Sequence, residues 1–282
     1  MRWSGQRFGF QFPRPALVLG VLNITPDSFS DGGLYRDPGR AVERAHQLVA
    51  EGADLIDVGG ESTRPGADPV EDAEELARVV PVVERLCREL EVPVSIDTRK
   101  PSVAERCLDL GVAVVNDIGA NREDPEMWRI VARHGAGYVA MHMQGDPGTM
   151  QRRPEYRDVV DEVEGFLEDR LVRVQESGIT PDQVVLDPGI GFGKSLGHNL
   201  SLLAHIDRFQ SLARPLLLGV SRKSFLGRVL GVAETERLPG ALACSVWAAA
   251  RGVQLFRTHD VAPTVQALRT LEAVSASIAP LP

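Results

Sequence analysis

The chain has 282 residues, 43% of them hydrophobic and 25% charged, which is enough apolar material for a large buried core. Its net charge of −8 disfavours nucleic acid as the main partner, because phosphate backbones select basic surfaces. Cys87, Cys107 and Cys244 are widely scattered and form no CxxC or Cys/His cluster, which argues against a disulfide framework or structural zinc and fits the reducing cytoplasm.

The N-terminal MRWSGQRFGFQFPRP has no apolar run of the kind a secretory signal needs. These first dozen residues are expected to form a small hairpin that plugs one end of the fold. Beyond them, short β-branched or Leu-rich runs alternate with longer amphipathic segments. Predicted strands are Ala16–Leu22, Leu55–Val58, Val94–Asp97, Val112–Asn116, Gly137–His142, Val184–Asp187, Leu216–Val220 and Gln254–Thr258. Predicted helices are Pro38–Glu51, Pro69–Leu90, Pro101–Leu110, Pro125–His134, Glu155–Ser177, Asn199–Leu212, Pro239–Arg251 and Ala262–Ser277. Several open with proline in the first turn, where its missing N–H costs nothing. Several stop at glycine (Gly52, Gly111, Gly135, Gly178), which suits a left-handed closing residue. The most apolar stretch, Ala241–Ala250, is too short to span a bilayer.

Eight strands, each followed by a helix, predict an α/β (β/α)8 TIM barrel with a short N-terminal hairpin, as one domain over residues 1–282. An open doubly wound sheet is the alternative. It would have fewer strands and a phosphate-binding glycine turn after the first of them. Here the first strand leads instead into the long polar segment Asn23–Gly33.

Barrel chemistry sits at the C-terminal ends of the strands, and every predicted end carries polar groups. In chain order these are Asn23, Glu61-Ser-Thr-Arg64, Asp97, Asn116-Asp117, His142, Asp187, Ser221-Arg-Lys223 and Arg257-Thr-His-Asp260. A single Asp or Asn after a strand is usually a turn former or helix cap. Eight such ends on one rim point instead to a common pocket. The glycine-rich Pro188–Ser195 is not a P-loop, because Pro188 stands where that motif requires glycine. Its glycines suit close approach of backbone to a flat ligand, with Phe192 as an apolar contact.

Asp97, Asp187, Asn116 and Lys223 together suit a flat heterocycle with both donors and acceptors. A carboxylate pairs with adjacent N–H and NH2 groups, the pattern on the 2-amino-4-oxo edge of a pterin or guanine. Arg257 and His259, with Asn23 across the rim, suit a diphosphate, and an asparagine oxygen suits Mg2+. Lys223 is one of only three lysines in the chain, which makes its place at a strand end notable.

The segments Leu22–Gly33, Glu61–Gly66, Ser95–Thr98, Asn116–Ile118, Met141–Met143, Leu186–Lys194, Ser221–Phe225 and Arg257–Val261 occur in the order found in dihydropteroate synthases. The chain resembles that family from about Leu17 to Val261. The resemblance implies condensation of a dihydropterin pyrophosphate with p-aminobenzoate in folate synthesis. It places Asp97, Asn116, Ile118, Met141, Asp187, Phe192 and Lys223 on the pterin. Asn23, Arg257 and His259 then fall to diphosphate and Mg2+, with Asn23 as the metal ligand. Thr63, Arg64, Phe192 and Ser221 fall to p-aminobenzoate, and Phe29 and Asp31 to a closing loop. Asp97, Lys223, Arg257 and His259 are the expected catalytic set.

A cytoplasmic homodimer through the last helices is also implied, as is a role as a sulfonamide target. Arg99 and Gly119-Ala120 depart from the usual pattern. Three competing readings are a methyltetrahydrofolate–corrinoid methyltransferase, a non-catalytic pterin-binding paralogue and a phosphosugar barrel enzyme. The first would not need Arg257-Thr-His259, and the third would carry a glycine-rich phosphate site after strands seven and eight. The second would bind pterin without forming product.

Overall fold

The computed structural model describes residues 1–25, 38–62, 69–120 and 124–277. A two-stranded antiparallel hairpin, β1 (Arg2–Gly5) with β2 (Phe8–Gln11), comes first. Eight parallel strands follow: β3 (Leu17–Asn23), β4 (Leu55–Gly59), β5 (Val94–Asp97), β6 (Val114–Asp117), β7 (Gly137–Met141), β8 (Val184–Asp187), β9 (Leu217–Gly219) and β10 (Leu255–Thr258). Sequential neighbours pair throughout, and β10 returns to β3. The ring closes between β8 and β9 through a parallel bridge of Leu186 with Leu216, where Leu186 N donates to Pro215 O at 3.0 Å.

Helices α1 (Pro38–Ala50), α2 (Asp72–Glu89), α3 (Pro101–Asp109), α4 (Glu126–His134), α5 (Val159–Glu176) and α6 (Leu196–Ala204) follow successive strands. Then come α7 (Ser224–Leu230), α8 (Leu238–Ala249) and α9 (Val261–Ala276). The predicted helix Asn199–Leu212 is in fact two pieces, α6 and a 3-10 segment Ile206–Leu212 that breaks off at His205. The seven-residue α7 was absent from the predicted set, because so short a helix carries too few turns to show a period. The four glycines expected to close helices all have positive φ, from 58° to 111°.

The period-two rule for strands decides which residues face the site. Leu17, Leu19, Leu55, Val114, Val139, Val185, Leu217 and Leu255 point inward and form one cluster with Trp3 and Phe12. Trp3 is fully buried and donates through Nε1 to Gln183 O at 3.1 Å, so the hairpin does plug the lower end of the barrel. Neighbours one residue away, such as Val18, Ile56, Val115, Tyr138 and Phe256, join the larger core under the helices. Two residues up each strand, the inward layer turns polar: Asp57, Asp97, Asn116, Asp187 and Arg257, with Met141 and Gly219 between them. That layer is the floor of the site.

Candidate active site

At the centre of the floor, Arg257 is held by two carboxylates. Its Nε donates to Asp57 Oδ2 and its Nη2 to Asp97 Oδ2, each at 2.6 Å. Asp57 Oδ2 also accepts from Asn116 Nδ2 at 3.1 Å. Asp97 Oδ1 is buried and makes no hydrogen bond, although its residue lines the cavity. Burial pushes the Asp97 carboxyl up to about 7, with Arg257 opposing that rise and Asp57 and Glu75 adding to it. Burial opposes the charge on Arg257, yet Asp57 and Asp97 hold its pKa above the ordinary arginine value.

Across the cavity, the strand-end loop after β8 supplies a second group. Asp187 Oδ1 accepts from Gly189 N at 2.7 Å, and burial raises the Asp187 pKa against that bond. Lys223 Nζ donates to Ile190 O at 2.7 Å and stands 3.8 Å from the Phe192 ring centroid. Burial brings Lys223 down to about 7, against the pull of Asp187. Glycine is required at two points of this loop. Gly189 has φ +69° and packs on the His142 carbonyl, while a Cβ on Gly191 would stand 2.9 Å from Lys223 Cδ.

The upper rim joins Asn23, His259 and Ser221. Asn23 Nδ2 lies 3.5 Å from His259 Nε2, and His259 Nδ1 lies 3.1 Å from Ser221 Oγ. Beside them Arg222, at φ +60°, turns its guanidinium to Asp260 at 2.9 Å. All three groups border one cavity of about 410 Å³, also lined by Ile118, Met141, Phe192 and Met150. It therefore combines apolar walls, a floor carrying both acidic groups (Asp97, Asp187) and cations (Arg257, Lys223), and a polar rim with Asn23, Ser221 and His259. That volume falls in the range of small-molecule sites, roughly 300–1,000 Å³.

The chain matches the family model for pterin binding enzymes over residues 19–259. It is 48% identical to the dihydropteroate synthase of Escherichia coli K12, over 91% of this chain and 90% of that one. It is 42% identical to the Neisseria meningitidis serogroup B synthase over 98% of both chains. The chain belongs to the dihydropteroate synthase family of pterin binding enzymes. Among solved structures of the family, the Yersinia pestis synthase in a sulfonamide drug complex superposes with a TM-score of 0.92 at 42% identity, covering 98% of this chain and 100% of that one. The Xanthomonas albilineans synthase with 4-aminobenzoic acid gives 0.88 at 44% identity, covering 95% and 96%.

Of the residues that the dihydropteroate synthase resemblance marked, Asn23, Asp97, Asn116, Ile118, Met141, Asp187, Phe192, Ser221, Lys223, Arg257 and His259 all line this cavity. Phe29, Asp31, Thr63 and Arg64 lie outside the described residues. Four of the described strand-end residues expected on the rim do not line the cavity: Thr258 and Asp260 beside His259, and Asp117 and His142. Asp117 faces the helices, where its carboxylate accepts from Tyr138 Oη at 2.8 Å and from Gly119 N at 2.7 Å. His142 is buried beside Lys194, whose Nζ lies 2.9 Å from His142 Nδ1 and donates to Phe192 O at 3.0 Å. Burial drives both pKa values down, and the bond from Lys194 to Phe192 O ties its side chain to the glycine loop.

Asp57 went unmarked because it lies inside a strand, although its phase with Leu55 turns it inward. Met150, Glu234 and Arg237 also border the cavity without having been expected there, while Glu61, expected at the end of the second barrel strand, does line it. Glu61 accepts from Val70 N at 3.2 Å and pairs with Lys100 at 3.2 Å and Arg99 at 3.4 Å, which gives the atypical Arg99 a place at the rim.

Proposed function

We propose that this site condenses 6-hydroxymethyl-7,8-dihydropterin pyrophosphate with p-aminobenzoate, giving 7,8-dihydropteroate and pyrophosphate. The reaction makes it a transferase of folate biosynthesis. One observation carries the reading: a single cavity is lined by Asp97, Asn116, Asp187 and Lys223 below, and by Asn23, His259 and Ser221 above. Its apolar walls suit a flat ring, its floor suits a polar heterocycle edge, and its rim suits an anion. The Clostridium difficile relative crystallised in the presence of pteroic acid, with a TM-score of 0.89 at 39% identity, agrees with that reading.

In this reading Asp187 and Asn116 orient the pterin edge, and Lys223 donates to its oxygen or ring nitrogen. Phe192 covers the ring and borders the place of p-aminobenzoate beside Ser221, Thr63 and Arg64. His259 and the remaining edge of Arg257 face the diphosphate. Asp97 offers negative charge to the pterin as the methylene–oxygen bond breaks. Among the described residues no cluster of His, Cys, Asp and Glu could hold a metal by itself. The Asn23 amide oxygen at the rim suits Mg2+ shared with substrate phosphates, since this ion takes oxygen ligands and is usually bound by few protein groups. Bound there, Mg2+ would neutralise charge on the leaving diphosphate.

We further propose a cytoplasmic homodimer, with residues 1–282 forming one domain in each copy. Among the described residues the three thiols are free, and burial raises Cys87 to about 11 and Cys107 to about 12. No described helix is long and apolar enough to cross a membrane. Helices α8 and α9 expose an apolar groove lined by Leu242, Val246, Pro263, Ala267, Leu271 and Val274, which suits a second copy.

The direct test incubates the protein with both substrates and Mg2+ and follows dihydropteroate and pyrophosphate together. Equal release, abolished by EDTA, is expected. Tight pterin binding without release of either product would point to the non-catalytic paralogue.

The same assay carries a pH prediction. Free-enzyme kcat/KM should rise as Asp97 loses its proton and fall as Lys223 loses its own, both at about 7. The profile is therefore a narrow bell centred near neutrality. Lys223→Arg should remove the alkaline limb, because a guanidinium does not titrate there. A profile flat from about pH 5.5 to 9 would show that neither group governs activity.

A further inference from the structure

We propose that Asp57 is the positioning residue of the pterin floor, acting through Arg257 and Asn116 and not by touching the substrate. The proposal deepens the function given above and rests on it. Asp57 is fully buried and is not among the residues lining the cavity. One of its atoms, Oδ2, accepts both from Arg257 Nε at 2.6 Å and from Asn116 Nδ2 at 3.1 Å.

Two orientations follow from that single atom. An ionised carboxylate has only acceptors, so Asn116 must turn its nitrogen toward Asp57 and its oxygen away. The amide cannot flip without setting an oxygen against a carboxylate. Arg257 is likewise held at two points, Nε on Asp57 and Nη2 on Asp97, which fixes the plane of its guanidinium. Three strands meet here, because Asp57, Asn116 and Arg257 sit on β4, β6 and β10. Asp57 therefore ties together side chains that share no local contact in sequence. Misplacement of binding groups by about 1 Å can cost about 10²-fold in rate, so this tie belongs to recognition as well as to folding.

The charge of Asp57 has a second consequence. The charged groups facing Asp97 are Arg257 from β10, Asp57 from β4, Glu75 from α2 and Lys223 beyond β9. Of these, Asp57 opposes ionisation of Asp97, so neutralising it should let Asp97 lose its proton at lower pH.

The test compares the parent with Asp57→Asn, a change that keeps volume and removes charge. Expected are a pterin-substrate KM raised about tenfold or more, a p-aminobenzoate KM within about twofold of the parent, and an acid limb of kcat/KM moved to lower pH. A merely structural role would lower the melting temperature and move none of these selectively. An unchanged pterin KM, or an unmoved acid limb in a folded variant, overturns the proposal. If Asp57→Asn does not fold, Asp57→Glu carries the test, keeping the charge but displacing it by one methylene. It should raise pterin KM and leave the acid limb in place, and an unchanged KM again overturns the proposal. Should the parent itself form no dihydropteroate, the functional reading fails on that control, and calorimetric pterin affinities of parent and variants still decide the role of Asp57.

Discussion

Asp97→Asn is expected to lower kcat on the order of 10²-fold or more while leaving the fold intact. The substitution is nearly isosteric, and Arg257 keeps its 2.6 Å bond to Asp57, so no charge is orphaned. What changes is the sign of the electrostatics. The p-aminobenzoate nitrogen is a weak nucleophile, so departure of pyrophosphate must run ahead of its attack, and positive charge then develops on the pterin methylene and ring. In the parent, Asp97 lines the cavity where that charge forms, and its buried Oδ1 makes no hydrogen bond. In the variant, the amide oxygen turns to Arg257 and its NH2 faces the pterin, so a donor replaces an acceptor. A charge interaction in a desolvated site is worth far more than in water. Steady-state kinetics at saturating substrates measures the effect. Turnover within about threefold of the parent would remove Asp97 from the charge-stabilising role.

Much of this was legible in the sequence, and the reason is geometric. Parallel barrel strands are short and buried, so Val94–Asp97 and Val184–Asp187 stand out as apolar runs with an abrupt polar end, and both strands begin and end where predicted. The same ends supplied Asp97 and Asp187. What misled was treating adjacent polar residues as equivalent. Asn116 and Asp117 are neighbours, yet the pleat sends one to the cavity and the other to Tyr138. Met141 and His142 divide in the same way. Continuing the inward phase from Leu55 would have found Asp57, a charged residue inside an otherwise apolar strand. No comparable phase exists for Arg237 or Glu234, which reach the cavity from the connection between α7 and α8. Their place depends on how that irregular segment packs, which periodicity does not encode.

Arg257→Met should damage both stability and activity, because it removes the one cation that Asp57 and Asp97 share. Methionine fills much of the volume but leaves two carboxylates buried together, Asp57 fully and Asp97 at 8% exposure. Breaking a buried pair by removing one partner costs about 3–5 kcal/mol. The Arg257 side chain keeps 21% exposure, which places the expected loss at the lower end, about 3 kcal/mol. For a chain of this size that lowers the melting temperature by roughly 6–12 °C. The loss should depend on pH in a definite direction. Asp97 already titrates at about 7 in the folded parent against 3.8 as a free carboxyl, so the native state holds its proton more tightly than the unfolded chain. Stability from this group is therefore greatest at low pH and is lost as pH rises through the folded value. Without Arg257 that value climbs further. The melting-temperature gap between parent and variant should accordingly widen above neutrality and narrow below it. The added proton also cancels the Asp97 charge, so turnover should fall on the order of 10²-fold or more in the same variant. Melting curves across pH decide the matter: a gap independent of pH, or no gap at all, would mean that Arg257 does not favour the ionised form of Asp97 in the folded protein.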